Sequence, residues 1–360
     1  MFFYDITFVQ MPITKLNIED FLQLGISSLL LDVRSPGEFA HAHIPQAISL
    51  PLFTDEERKV VGTAYKQESK QKAVKHGLKY FGSNMVAMVE AVEELMAKRK
   101  NDSSNTVLVH CWRGGMRSAG VAWLLDLYGF EVYTLAGGYK AYRNWVLKQF
   151  EQEYNLMVVG GLTGCGKTPV LHQLTKMKEK MIDLEGLANH RGSAFGGLDA
   201  VAQPSQEMFE NLLAASLQQA AIEHKIIWVE NESQRIGNLN IPGNFFKKMR
   251  TGPVLFLNIP FEERLKHIVD GYGKHKKEEL INTIVRIKKR LGGLETKNAI
   301  NFLLEDNVEA CFSILLHYYD KLYMKSTNDR EAPEQLITNI DANKIDALAN
   351  AKKLIDYARR

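Results

Sequence analysis

The chain has little cysteine: three residues in 360, Cys111, Cys165 and Cys311. They form no CxxC pair and no even set, which excludes a disulfide framework and points to free thiols in a reducing cytoplasm. No apolar run is long enough to cross a bilayer, so no membrane partner is expected. The opening Met1-Phe2-Phe3-Tyr4-Asp5 lacks a basic stretch and meets an acid at Asp5, which does not fit a signal peptide. Charge of one sign is not in excess either. Lys plus Arg number 45 against 42 Asp plus Glu, a net charge of +3 that does not by itself announce nucleic acid. There is no internal repeat and no low-complexity linker. What remains is a globular composition, 45% hydrophobic and 24% charged, with a length that predicts two domains of ordinary size.

The most informative stretch is Val107-Leu108-Val109-His110-Cys111-Trp112-Arg113-Gly114-Gly115-Met116-Arg117-Ser118. An apolar strand runs into a cysteine, and a helix opens after two glycines. Successive backbone N–H groups in such a loop form an anion-binding nest, and the helix N-terminus adds partial positive charge. Both favour thiolate over thiol, so Cys111 is expected to be nucleophilic, with Arg113, Gly114, Gly115 and Arg117 holding an oxyanion. Cys311, inside the apolar run Ala310-Cys311-Phe312, reads as core.

A second signal follows. Residues 161–168, Gly161-Leu162-Thr163-Gly164-Cys165-Gly166-Lys167-Thr168, fit G-x-x-x-x-G-K-[ST] between an apolar strand and a helix. Gly161, Gly164 and Gly166 let the backbone curl around a diphosphate. Lys167 reaches the outer phosphates and the Thr168 hydroxyl can ligate Mg²⁺. Cys165 needs only to be small. Further on, Trp228-Val229-Glu230-Asn231-Glu232 is a strand ending in two acids. In a phosphate-loop protein, Glu230 and Glu232 there serve Mg²⁺ or activate a hydroxyl. The glycine-rich, cationic segment 190–197, with Arg191, either closes over phosphates or is a plain loop.

Apolar strands at 27–33, 106–109 and 131–135 alternate with helical patterns at 85–99 and 119–127, and a helix over 139–154 ends the first half. The second half restarts with the strand before Gly160. It continues with strands at 225–229 and 253–257, a helix at 204–224, a strand-like run at 335–340 and a helix at 343–357. This order predicts two α/β domains, 1–150 and 151–360, each with a parallel sheet covered on both faces, the second ending in helices. The segment 56–81 is long for a connection, helix-compatible and rich in lysine. The turn at 32–39 reads as structural, with internal ion pairs. Lys276 and Lys277, and Lys288 and Lys289, sit in two basic clusters that either face a polyanion or solvate a helix.

Asp32-Val33-Arg34 with Glu38-Phe39, His43-Ile44-Pro45, and later Gly137-Gly138-Tyr139 resemble the rhodanese fold, which carries sulfur on a loop cysteine. The loop from Cys111 to Arg117 is one residue longer than the common rhodanese loop. That longer loop resembles the tRNA 2-selenouridine synthase family. So do Val61-Gly62-Thr63-Ala64-Tyr65-Lys66-Gln67, the phosphate loop, Asp183-Leu184-Glu185-Gly186, His190-Arg191-Gly192-Ser193 and Glu230-Asn231-Glu232-Ser233. The resemblance implies a rhodanese-like parallel-sheet domain followed by a P-loop NTPase-like parallel-sheet domain. It implies an enzyme acting on tRNA that carries 2-thiouridine at the wobble position. Such enzymes replace sulfur by selenium from selenophosphate, and S-geranylate the thiouridine with geranyl diphosphate. An enzyme that supplies selenophosphate is then a partner. The phosphate loop would hold geranyl diphosphate, with Mg²⁺, and Lys276, Lys277, Lys288 and Lys289, together with Lys66 and Lys70 of the segment 56–81, would meet the RNA backbone.

Two other readings stay open on the residues alone. His110-Cys111-x5-Arg117 also fits a cysteine phosphatase, in which a thiolate attacks phosphate. A nucleotide-gated sulfur-relay module would use the same two loops without chemistry of its own.

Overall fold

The computed structural model describes residues 13–99, 105–193, 195, 202–222 and 225–359. They divide into two compact units, Met1–Lys148 and Gln149–Arg360.

The first unit runs β1 (Thr14–Leu16), α1 (Ile18–Gly25), β2 (Leu29–Asp32), α2 (Pro36–His41), β3 (Ile48–Ser49), α3 (Asp55–Gln67), α4 (Lys70–Lys98), β4 (Thr106–His110), α5 (Met116–Tyr128), β5 (Glu131–Leu135) and α6 (Gly138–Gln149). Its sheet has the order β1-β5-β4-β2-β3, parallel throughout. Both faces are covered, so β2 and β4 are apolar without alternation. Leu29, Leu31, Val107 and Val109 pack with Met88 and Val92 of α4 and Val121 and Leu125 of α5. His110 faces the opposite side, against Phe21 of α1 and Tyr139 of α6. The alternation therefore turns Cys111 toward α5.

The segment 56–81 is a helical hairpin rather than a connection. Thr54 caps α3 with a capping box, and the Ser69 hydroxyl accepts from the Lys72 N–H at 3.1 Å to start α4. The predicted helix at 85–99 is the second half of α4. Its lysine-rich first half buries only Ala73, too narrow a stripe for periodicity to reveal. The helix predicted to reach residue 154 stops at Gln149, where Phe150 buries and the Tyr154 hydroxyl donates to the Gln149 carbonyl at 2.9 Å. Asp32 and Arg34 form a buried ion pair at 2.6 Å, and Arg34 also donates to the Ala42 carbonyl, so the turn after β2 is structural, as expected.

The second unit runs β6 (Leu156–Gly161), α7 (Lys167–Lys176), β7 (Lys180–Ile182), α8 (Leu184–Leu187), α9 (Gln206–Ala221), β8 (Ile227–Glu230), β9 (Arg235–Ile236), β10 (Leu239–Asn240), α10 (Gly243–Thr251), β11 (Val254–Asn258), α11 (Phe261–Tyr272), α12 (Lys277–Leu291), α13 (Gly293–Leu304), α14 (Val308–Asn328), α15 (Pro333–Leu336), β12 (Ile337–Asp341) and α16 (Ala347–Ala358). The main sheet, β12-β11-β6-β8-β7, is parallel, and β9 and β10 form a small antiparallel ribbon. One core lies on the sheet between α7 and α16, and Cys165 belongs to it. A second core, holding Cys311, lies among α11, α12, α13 and α14. The last helix starts at Ala347 rather than 343, because Asp346 caps it by accepting from the Ala349 N–H at 2.9 Å. The strand-like run at 335–340 begins as the single turn of α15 and extends only from Ile337. No described helix is long and apolar enough to cross a membrane.

Candidate functional site

Cys111 follows β4 directly and is 3% exposed. Its Sγ lies 3.2 Å from the Ser118 hydroxyl, which also reaches the Gly115 carbonyl at 3.1 Å. Burial pushes the thiol up. The Ser118 hydroxyl, the N–H groups of Ser118 and Arg113, and the Arg117 charge together outweigh it, and the thiol sits below its ordinary range. The loop needs two glycines for its shape. A side chain on Gly114, at φ +63°, would lie 2.6 Å from the Leu135 carbonyl, and one on Gly138, at φ +59°, would strike the Cys111 carbonyl. That close approach lets the Tyr139 N–H donate to the Cys111 carbonyl at 2.8 Å and the Lys140 N–H to the Trp112 carbonyl at 3.0 Å. Gly115 caps α5, where a Cβ would meet nothing.

The arginines of this loop differ. Arg113 is exposed. Arg117 donates to Glu38 at 2.9 Å, and Arg58 of α3 lies 3.2 Å from the same carboxylate. Glu38 is pulled down to about 2: burial raises it, and Arg117, the Ser35 N–H and Arg58 more than reverse that. One edge of the Arg117 guanidinium is thus committed to Glu38. An anion above Cys111 would meet the loop N–H groups, Arg113's among them, and an Arg117 already partly engaged by Glu38. His110, beside the nucleophile, is buried and lowered to about 4 by desolvation, despite Asp32 at 3.6 Å. Burial thus favours its neutral form.

In the second unit Gly161, Gly164 and Gly166 all have positive φ, at +145°, +81° and +79°. A Cβ on Gly161 would strike the Cys165 sulfur, so the buried Cys165 is a packing residue. Gly166 caps α7, and the loop N–H groups open toward a cavity of about 1,210 Å³. Lys167 donates to the Gly161 carbonyl at 3.0 Å and stands 5.1 Å from the Tyr323 ring. Burial opposes its charge, but Cys165, Tyr323, Glu232 and Glu185 hold the ammonium above its usual range.

The two acids after β8 part company. Glu230 is 1% exposed and accepts the Glu185 N–H at 2.7 Å, so it supports α8 from below. Burial and the nearby Asp183, Glu185 and Glu232 charges raise it strongly. Glu232 lines the cavity with Glu185, and burial, then Glu185, pushes it up to about 7. A Cβ on Gly192 would lie 2.7 Å from Glu185 and 2.9 Å from Glu232, so these two carboxylates converge on one point. The Thr168 hydroxyl donates to Glu185 at 3.2 Å. Among the described residues no group of three or more His, Cys, Asp or Glu is arranged to hold a metal. The hard oxygens of Thr168 and Glu185 still suit Mg²⁺, which takes one or two protein ligands and completes its shell from phosphate and water.

Glu185 was passed over as a site residue, although Asp183-Leu184-Glu185-Gly186 marked its position. The other side of the cavity was missed altogether. Phe195, Ile268, Tyr272, Phe312, Leu315, Leu316 and Tyr323 form an apolar, aromatic wall. Arg191 of segment 190–197 lines the cavity; Ala194, Gly196 and Gly197 of that segment lie outside the described residues.

The four lysines assigned to RNA lie at the two ends of α12, Lys276 about 18 Å along the axis from Lys288. Lys276, Lys288 and Lys289 are exposed, whereas Lys277 is bonded to Asp306 at 2.6 Å.

A loop thiol held below its ordinary range on one parallel sheet, and a glycine-rich phosphate-loop motif on the other, are the features of a two-unit protein with a rhodanese-like and a P-loop-like part. The comparisons bear on both parts. The family description "Rhodanese-like domain" matches residues 17–144, and "tRNA 2-selenouridine synthase AAA domain" matches residues 154–354. A tRNA 2-selenouridine synthase of Hydrogenovibrio crunogenus is 34% identical, covering 91% of this chain and 97% of its own. One of Sulfurovum sp. is 36% identical over 82% of this chain and 87% of its own, and one of Psychromonas ingrahamii 33% over 82% and 86%. The chain belongs to the tRNA 2-selenouridine synthase family.

Proposed function

We propose that the chain converts wobble 2-thiouridine in tRNA to 2-selenouridine in two steps. Geranyl diphosphate first alkylates the sulfur: the S–C bond forms, the C–O bond to diphosphate breaks, and the N3 proton of the base is lost. Selenium from selenophosphate then takes the place of the alkylated sulfur: the C2–Se bond forms, the P–Se bond breaks with water taking the phosphoryl group as phosphate, and the C2–S bond breaks as geranyl thiol leaves. Cys111 is the nucleophile of the second step, its thiolate taking the phosphoryl group as the P–Se bond breaks and passing it to water, with Arg113, the Gly114–Gly115 backbone and Arg117 on the anion.

The observation that carries the reading is the cavity of the second unit. It joins a diphosphate cradle to an apolar, aromatic wall, and an isoprenoid diphosphate has both parts. Lys167 and the loop N–H groups would take the developing charge of the leaving diphosphate, and Arg191 lies within reach of the same cavity. Mg²⁺ held by Thr168 and Glu185 would supply further charge on the phosphate oxygens. The phosphatase alternative loses support from the engagement of Arg117 by Glu38, since that chemistry wants the whole guanidinium on phosphate.

Mass spectrometry of nucleosides from thiolated tRNA tests the reading. With geranyl diphosphate alone the enzyme should accumulate S-geranyl-2-thiouridine. With selenophosphate added it should yield 2-selenouridine, without ATP. A strict ATP requirement, or selenouridine without a geranylated species, would defeat the two-step scheme.

RNA contact by α12 carries its own expectation. Replacing Lys276, Lys277, Lys288 and Lys289 by Gln should weaken tRNA binding and flatten its salt dependence, while geranyl diphosphate affinity stays unchanged. An unchanged salt slope in filter binding would leave these lysines as a solvated helix face.

A further inference from the structure

We propose that the α3–α4 hairpin is the surface on which the first unit receives RNA, the sugar-phosphate backbone lying across Gly62 between Lys59 and Lys66. The proposal rests on tRNA being the substrate, as argued above.

Charge is the first argument. Residues 58–79 carry seven lysines and arginines against a single acid, Glu68, in a chain whose whole net charge is only +3. Arg58 is paired with Glu38, and Lys72 with Glu68 at 2.8 Å. Lys59, Lys66, Lys70, Lys75 and Lys79 are exposed and make no ion pair among the described residues. Lys75 and Lys79 stand one turn apart on α4, a like-charge spacing that destabilises a helix. The hairpin keeps this repulsion and shows no internal return for it. A dense row of phosphates would turn it into attraction.

Glycine is the second argument, and it is independent of charge. Gly62 lies in the interior of α3, where glycine weakens a helix relative to alanine. A Cβ there would meet nothing within 4 Å. Gly82, three residues after Lys79 on α4, is the same. Gly77 is the contrast: its Cβ would press the Phe53 ring at 3.3 Å, so packing accounts for it. Gly62 has no such account among the described residues. Lys59 precedes it by three residues and Lys66 follows by four, so all three share one face of the helix. A bare backbone between two cations admits a ligand backbone at close range. Beside it Tyr65 is 59% exposed, an aromatic ring available to stack an unpaired base. An acidic protein would use the lysines but has less use for the open glycine and the ring.

Placement is the third argument. The first turn of α3 is pinned to α2, where both oxygens of Asp55 accept the Gly37 N–H at 3.0 Å. Arg58 and the loop residue Arg117 share Glu38. The helix that would carry the RNA is therefore fixed to the loop that carries Cys111.

Two variants of the full chain test this with thiolated tRNA, by filter binding across a salt series. Changing Lys59, Lys66, Lys75 and Lys79 to Gln should weaken binding and reduce the slope of log K against log salt by about 3. Gly62→Ala should raise the melting temperature by about 2–4 °C and yet weaken tRNA binding, two directions that a purely structural glycine would not combine. An unchanged slope in the lysine variant overturns the proposal. So does a stabilised Gly62→Ala protein that binds as tightly as wild type, or a loss confined to the α12 variant. Failure of the wild-type chain to bind thiolated tRNA would instead overturn the functional reading beneath it.

Discussion

Cys111→Ser should lose selenium transfer, by on the order of 10³-fold or more, while fold and tRNA affinity stay close to wild type. The sulfur is held by the Ser118 hydroxyl at 3.2 Å and by two loop N–H groups that stabilise a thiolate. A serine hydroxyl fits the same volume and accepts the same bonds, so the loop keeps its shape. Its pKa lies far above the working range, however, so it supplies no comparable nucleophile. The loss should be confined to the second step. In the proposed scheme geranylation draws on groups of the second unit, so the variant should stall as S-geranyl-2-thiouridine. Nucleoside mass spectrometry reads both products at once. A normal selenouridine yield from the serine variant would remove Cys111 from the chemistry.

How much of this could be read from the chain depended on whether a residue's role was local. The Cys111 loop and the phosphate loop are short motifs whose geometry is written in consecutive residues. Gly114, Gly161, Gly164 and Gly166 are needed at positive φ where the spacing placed them. Strands β2, β4 and β11 were found because a doubly covered parallel strand is apolar on both faces. The failures were non-local. Glu230 and Glu232 looked equivalent two residues apart, and only the packing of α8 over β8 turned one into a support and left the other in the cavity. The pairing of Arg117 with Glu38 spans 79 residues and left no mark in either segment. The apolar wall was invisible for a further reason. Phe312, Leu315 and Leu316 are almost fully buried and read as ordinary core of an amphipathic helix. No pattern in one sequence separates a side chain that packs on its own core from one that also borders a ligand.

Lys167→Ala should weaken geranyl diphosphate binding by about one to two decades, from the loss of a charge-assisted contact worth about 1.5–3 kcal/mol. The effect has two sources. The ammonium is the buried cation of the loop, and it faces Glu185 and Glu232 as well as the phosphate position. Its removal deletes an attraction for the dianion and leaves two carboxylates without their counter-charge. Lys167 is what lowers Glu232 against burial and Glu185, so without it Glu232 rises above about 7. The sign follows: as pH falls the carboxylates of the variant take up protons, repulsion of the diphosphate fades, and part of the lost affinity should return. In wild type the same change should set in at lower pH, because Lys167 helps hold Glu232 down to about 7. Calorimetric titration with geranyl diphosphate and with ATP, at several pH values, checks each part. Selenium transfer onto tRNA that already carries the geranyl group should survive in the variant, because that step draws on Cys111. Unchanged geranyl diphosphate affinity alongside lost ATP binding would show the phosphate loop to be a nucleotide site, and the isoprenoid would have to be placed elsewhere.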